Sequence, residues 1–233
     1  MMLLKRYYES LIHLLYPHCC NGCGVDLLEK DELICISCKA SLPRTSFASF
    51  ENNPIEKIFY GRLHVRAAHS EFYFMKHEVV QRLLHQLKYK GNQEIGEYLG
   101  SLTGESLLKS NRFKNLDVII PLPLHPKKEF QRGYNQASCI CKGISAVMNI
   151  PTLEKNVVRK YDSQTQTKKN RTERWNNVAE IFHVEEPEVL YGKNILLVDD
   201  VITTGASIEA CGSKILGVTG TSVSVSSLAY ASK

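Results

Sequence analysis

Two groups of side chains in this sequence are spaced to do chemistry. The first is Asp199-Asp200, which closes the aliphatic run Ile195-Leu196-Leu197-Val198 and opens onto Val201-Ile202-Thr203-Thr204-Gly205-Ala206-Ser207. The aliphatic run reads as a strand buried on both faces. The Gly205 turn leads into a helix predicted from Ile208 to Lys214. Such a junction aims several backbone N–H groups one way, forming a concave nest that suits phosphate. Thr203, Thr204 and Ser207 add hydroxyl donors. The two carboxylates would repel a phosphate seated against them, so they are better matched to neutral hydroxyl groups nearby. One loop thus suits a sugar phosphate, with phosphate in the nest and diol on the acids. The bland alternative is a buried strand, an Asp-rich turn and a helix cap. The second group is Cys20, Cys23, Cys35 and Cys38, two C-x2-C knuckles joined by a short charged loop. Four thiolates so arranged suit tetrahedral Zn2+. Cys19 and His18 compete with Cys20 for the first ligand position. So short a segment can hardly fold without metal, so the expected zinc is structural.

The elements that must position these groups follow from patterning. Residues 1–16 read as an amphipathic helix, 17–43 as the zinc-ribbon module, 44–57 as a linker and 58–233 as the main domain. Within that domain, Ile58 to Phe74 alternates like a hairpin. Helices are predicted over His77–Lys88 and from about Gln93 to Ser110. Asp117 to His125 is a strand whose exit, Leu122-Pro123-Leu124-His125, is stiffened by proline. A helix then runs to about Met148. Strands follow at Leu153–Arg159, Val178–Val184 and Lys193–Val198, with a last one at Thr221–Ala229. This order suits an α/β fold with a mostly parallel sheet, right-handed crossovers and a site at the strands' C-terminal edge. His64, His69, His77 and His85 lack ligand spacing and read as surface or hydrogen-bonded core. Cys139, Cys141 and Cys211 read as small core residues.

Bulk properties narrow the class. A chain of 233 residues with formal net charge +5 suits anionic ligands without demanding nucleic acid. The charge is uneven, with seven basic residues against three acids between Glu154 and Arg174. Overlapping that stretch, Tyr161 to Asn177 has no apolar periodicity, and loops this long usually carry function. The sharper reading is a lid closing over a polyphosphate. Lys127, Lys128, Arg132, Gly133, Asn135 and Gln136 follow the proline-rich exit. They read equally as an anion-contacting loop or as a capped helix start. No apolar stretch approaches the roughly 20 residues that span a bilayer, and the N-terminus is too polar for a secretory signal. The expectation is a reducing cytoplasm, where cysteines serve metals or cores.

CxxCG, CxxC, LKYKGN, IIPLPLH, RGYNQ, the polar Arg159–Asn177 stretch and LLVDDVITTGAS occur in one order along the chain. In this the sequence resembles the ComF family, a competence-associated group with a zinc ribbon fused to a type I phosphoribosyltransferase-like domain. The resemblance implies that Asp199 and Asp200 hold the ribose diol of phosphoribosyl diphosphate (PRPP). Thr203, Thr204, Gly205, Ala206 and Ser207 would take its 5-phosphate. Leu122, Pro123, Leu124 and His125 would form the pyrophosphate loop, and Mg2+ would enter with the substrate. Arg159, Lys168, Lys169, Arg171 and Arg174 would neutralise the leaving pyrophosphate, supported by Lys88 and Arg132. No nucleobase-binding hood is legible, so the acceptor of a transfer reaction is unassigned. The second reading is a non-catalytic competence factor in which the same scaffold binds single-stranded DNA, with Tyr134, Tyr161 and Trp175 as stacking faces. The resemblance alone also implies a helicase-type partner.

Overall fold

The computed structural model describes residues 13, 17–27, 32–76, 78–160 and 181–231. The N-terminal helix expected over 1–16 and the loop expected over 161–177 therefore lie outside the described residues, except His13. Residues described here form α1 (Ile36–Ala40), α2 (Pro54–Phe59), β1 (Ala68–Tyr73), α3 (Val79–Tyr89), α4 (Gln93–Leu108) and β2 (Val118–Pro121). They continue through α5 (Pro126–Arg132), α6 (Gln136–Met148), β3 (Val157–Arg159), β4 (Phe182–Val184), β5 (Asn194–Ile202), α7 (Ala206–Leu216) and β6 (Ser222–Tyr230).

Four strands make one parallel sheet in the order β1-β6-β5-β2. Its centre is apolar on both faces, because Ile195, Leu196, Leu197 and Val198 of β5 are all fully buried. Alternation sends Leu196 and Val198 into a core with α3, α4 and α6. It sends Ile195 and Leu197 into a second core with α2 and α7. A sheet so covered is the parallel α/β arrangement expected from near-continuous aliphatic strands.

Three local expectations are corrected. Ile58 to Phe74 is not a hairpin: α2 ends at Phe59, and a single strand, β1, pairs in parallel with β6. Alternation announces a strand but does not name its partner, which here lies about 150 residues further on. The 44–57 stretch carries a 3-10 turn at Phe47–Ser49 and most of α2, and it buries Phe47, Ala48, Asn53 and Ile55. Its apolar residues are few and far apart, which made it read as a linker. Finally, β3 and β4 pair antiparallel in a separate two-stranded sheet.

The cysteine module is docked on the body. Cys20, Leu27, Ile34, Cys38 and Leu42 share a core with Val79, Val80 and Leu83 of α3. The Arg82 Nε donates to the Gly22 carbonyl. Asn92, which caps α4, donates through Nδ2 to Asn21 Oδ1 at 3.0 Å. His69 is fully buried, with Nε2 2.9 Å from Glu71 Oε2, as a hydrogen-bonded core histidine.

Candidate functional site

The acid pair stands at the C-terminal end of β5. Consecutive strand residues face opposite ways, so Asp200 points toward α3 and Asp199 toward α7. Lys88 Nζ of α3 pairs with Asp200 Oδ2 at 3.0 Å. Asp199 is half-buried, and its Oδ1 accepts from the Asp200 amide at 2.8 Å. Burial and then the neighbouring Asp200 charge push the Asp199 carboxyl up to about 7, against the amide bond and Lys88, which pull it down. A carboxyl so tuned sits near the point where it is half protonated at neutral pH and can both accept from and donate to a hydroxyl.

The loop after β5 has the shape that the sequence implied. Gly205 takes φ 72° and is the N-cap of α7. A Cβ there would lie 2.8 Å from Ile58 Cγ2 and 2.9 Å from Phe59 Cε1, so the end of α2 supports the loop from behind. Thr203, Thr204, Ala206 and Ser207 are exposed. Thr204 Oγ1 accepts from the Ala206 amide at 3.5 Å, because Gly205 has no side chain to cap the helix. Asp199 and residues 201–208 line one small cavity of about 70 Å³. Sequence reasoning missed Arg62. Its Nη1 donates to the Thr204 carbonyl at 2.9 Å, and its Nη2 pairs with Glu209 Oε2 in the first turn of α7. A partner more than 140 residues away leaves no local signal.

The proline-rich exit lies beside the acids, since β2 pairs with β5 and the Leu122 amide donates to the Val198 carbonyl at 2.7 Å. Asn135 Nδ2 holds the Leu122 carbonyl at 3.0 Å while Asn135 Oδ1 caps α6. Tyr134 donates to the Leu87 carbonyl of α3, and Gly133 ends α5 at φ 79°. RGYNQ therefore anchors the loop to α3 and the proline-rich exit and caps α6. Arg132 bonds Gln136 and lies 5.4 Å over the Tyr89 ring. His125 caps α5, with Nδ1 accepting from the Lys127 amide at 3.2 Å. Its pKa is lowered by partial burial and by the charges of Arg159, Lys127 and Lys128. Arg159 thus reaches the field of this loop from β3, stacked 5.5 Å from the Phe182 ring, and its own pKa is lowered by burial. Lys168, Lys169, Arg171 and Arg174 lie outside the described residues.

Cys20, Cys23, Cys35 and Cys38 converge, all four sulfurs within 4.8 Å of one another. Zn–S bonds of about 2.3 Å put tetrahedral sulfurs about 3.8 Å apart, and Cys23 and Cys35 sulfurs stand at 3.7 Å. The Gly22 and Cys35 amides donate to Cys20 Sγ at 3.3 and 3.2 Å. Burial alone would raise the Cys20 thiol, but these backbone bonds outweigh it and lower its pKa to about 6. Burial and the neighbouring sulfurs raise Cys38. The donor set fits a structural metal such as zinc. Cys19 Sγ turns to the Pro17 carbonyl and His18 to that of Glu32, and it is Cys20 whose sulfur joins the other three. Cys141 and Cys211 are fully buried, with thiols raised by burial, as expected of core residues.

Fold and site together define a parallel α/β protein with an acid pair, a glycine loop and a helix start at one sheet edge, and a four-cysteine module. Its sequence relatives make the kinship more particular. The chain is homologous to a DNA utilization protein of Shigella flexneri, 30% identical over 58% of this chain and 60% of the relative. It is 31% identical to Competence protein F of Haemophilus influenzae over 57% of this chain and 59% of that protein. It is also 26% identical to Competence protein ComFC of Bacillus subtilis over 78% of each. Two of the three carry the competence name that the motifs implied. The chain spans about 60% of the length of the curated relatives it first matches, and no family model matches it. Among solved structures, the glutamine PRPP amidotransferase of B. subtilis superposes with TM-score 0.44 and 16% identity, over 61% of this chain and 30% of that one. The fold class is given by the parallel sheet and the helices on both its faces. No described helix is long and apolar enough to cross a membrane.

Proposed function

We propose that the protein binds a phosphorylated ribose, of which PRPP with Mg2+ is the best match, in a role tied to DNA uptake. The observation that carries this is the left-handed Gly205 between β5, which carries two acids near its C-terminal end, and the start of α7. It turns exposed Thr203, Thr204, Ala206 and Ser207 around one cavity that Asp199 also lines. The nest suits the 5-phosphate, and Asp199 and Asp200 suit the diol. His125 and Arg159 suit the pyrophosphate. The carboxylates and the diphosphate supply the hard oxygen donors that Mg2+ prefers. Phosphoribosyl transfer to an acceptor is the enzymatic form of this reading. The competence and DNA-utilization relatives support the cellular role.

Titration calorimetry of PRPP with Mg2+ into zinc-loaded protein tests the site. Binding to wild type and none to Asp199→Asn/Asp200→Asn is the expected result. Equal binding to both would refute it.

A second reading, single-stranded DNA binding, is favoured by one surface feature. Phe130 is 91% exposed on α5 beside Lys127 and Lys128, with Tyr89 exposed nearby under Arg132. Exposed aromatics among cations are how sequence-tolerant stacking sites are built. Under this reading Phe130→Ala weakens oligonucleotide binding and leaves PRPP binding intact.

A further inference from the structure

Arg62 does not line the cavity of the 203–207 loop, yet it ties together three parts of that loop's surroundings. Its Nη1 donates to the carbonyls of Ile58 at the end of α2 (3.2 Å) and Thr204 in the loop (2.9 Å). Its Nη2 pairs with Glu209 of α7. Two consequences follow from elementary chemistry. In a trans peptide the carbonyl and the following N–H point to opposite sides. Holding the Thr204 carbonyl from behind therefore aims the Gly205 N–H the other way, toward the cavity. A charged donor on that carbonyl also polarises the peptide unit and strengthens the N–H as a donor. The second consequence concerns charge. Glu209 lies in the first turn of α7, where an anionic ligand would also sit. An unpaired carboxylate there competes with phosphate for the helix's positive end, and Arg62 cancels it.

We propose that Arg62 is a positioning residue for the 203–207 loop. It aims the Gly205 amide and neutralises Glu209, so that the nest accepts a phosphate monoester dianion. This rests on the reading of the loop as a phosphate site. Three features make the arrangement specific to arginine. One planar group serves two carbonyls and a carboxylate at once, which the single ammonium of lysine does poorly. The loop cannot settle closer to α2 instead, because Ile58 and Phe59 already abut Gly205. The ion pair is partly shielded, with side chains 32% and 18% exposed.

The test uses full-length zinc-loaded protein, with ribose 5-phosphate as the probe. Arg62→Ala, Glu209→Gln and the double variant are compared by calorimetry, by amide hydrogen exchange at residues 203–207 and by thermal unfolding. Arg62→Ala is expected to speed exchange of the Gly205 and Ala206 amides in the free protein. It should weaken ribose 5-phosphate by about tenfold or more, the scale of one charge-assisted hydrogen bond. Glu209→Gln is expected to tighten binding, because Arg62 then stands uncompensated beside the nest. A merely structural pair would lose affinity or none in that variant. The double variant should recover part of the Arg62→Ala loss. Unchanged loop exchange in Arg62→Ala, or weaker binding in Glu209→Gln, overturns the proposal. Should wild type not bind the probe while Arg62→Ala still loosens the loop amides, the phosphate reading falls and the positioning role of Arg62 stands.

Discussion

Gly205→Ala and Gly133→Ala form a matched pair. Both glycines are left-handed, with φ 72° and 79°. Placing alanine there costs about 1–2 kcal/mol in the folded state, partly offset by about 0.4–1 kcal/mol from the stiffened unfolded chain. At Gly133 that is the whole effect, since nothing lies within 4 Å of the added methyl. At Gly205 the methyl would stand 2.8 Å from Ile58 Cγ2, 2.9 Å from Phe59 Cε1 and 3.2 Å from Phe59 Cζ. Carbon contacts relax only at about 3.5–4.0 Å, and Phe59 is fully buried and has little room to yield. Overpacking of this kind adds about 1–3 kcal/mol. Urea unfolding at fixed pH should show Gly133→Ala losing about 1 kcal/mol and Gly205→Ala about 2–4 kcal/mol, with unchanged m. Phe59→Leu should make the Gly205→Ala penalty less than additive. Equal losses at the two glycines would show that α2 does not press on the loop, and the account of how the nest is supported would fail with it.

The remaining predictions concern the acids and the thiols. Because the folded Asp199 carboxyl titrates near 7 against 3.8 when unfolded, the native state holds more protons between those values. Stability therefore falls as pH rises through that window. Asp199→Asn should flatten the slope measured by urea melts at pH 5 and 7.5, and an unchanged slope refutes the assignment. Lys88→Met leaves Asp200 partly buried without its cation, at a cost of about 1–3 kcal/mol, between exposed and buried pairs. Lys88→Arg should restore most of that, as read by chemical denaturation. For the metal, Cys20→Ser should lower bound zinc below one per chain by atomic absorption while Cys19→Ser keeps it, because the Cys19 sulfur points out of the cluster.

What was legible in the sequence was whatever repeats at short range. The cysteine knuckles, the aliphatic run of β5 and the Gly205 turn each announce themselves within a few residues, and each is found where the pattern put it. What was not legible depends on partners far along the chain. Lys88 pairs with Asp200, and nothing in the residues around either one names the other. Arg62 was passed over for the same reason. RGYNQ was ambiguous because asparagine and glutamine serve capping and ligand contact equally well. The structure spends Asn135 on α6 and on the Leu122 carbonyl, which stiffens the proline-rich exit. The 44–57 stretch failed in the opposite sense. Asn53 looks like a linker residue, yet it is fully buried, donates to the Phe47, Phe50 and Ala68 carbonyls, and caps α2.

The place of β6 in the sheet sets the order in which this molecule can be finished. It is the last strand along the described chain, and it lies between β1 and β5. A ribosome making about 5–20 residues per second takes on the order of ten seconds to travel from Tyr73 to Tyr230. Throughout that interval β1 can bond residues 43–45 on one edge, but the edge that β6 will fill stays open. β5, with its two acids, can meet β2 but lacks the neighbour on its other side. The frame around Asp199 and Arg62 closes only when Ser222–Tyr230 is delivered. A nascent chain stalled before Ser222 should therefore be cut by protease within β1, and one released after Tyr230 should be protected there.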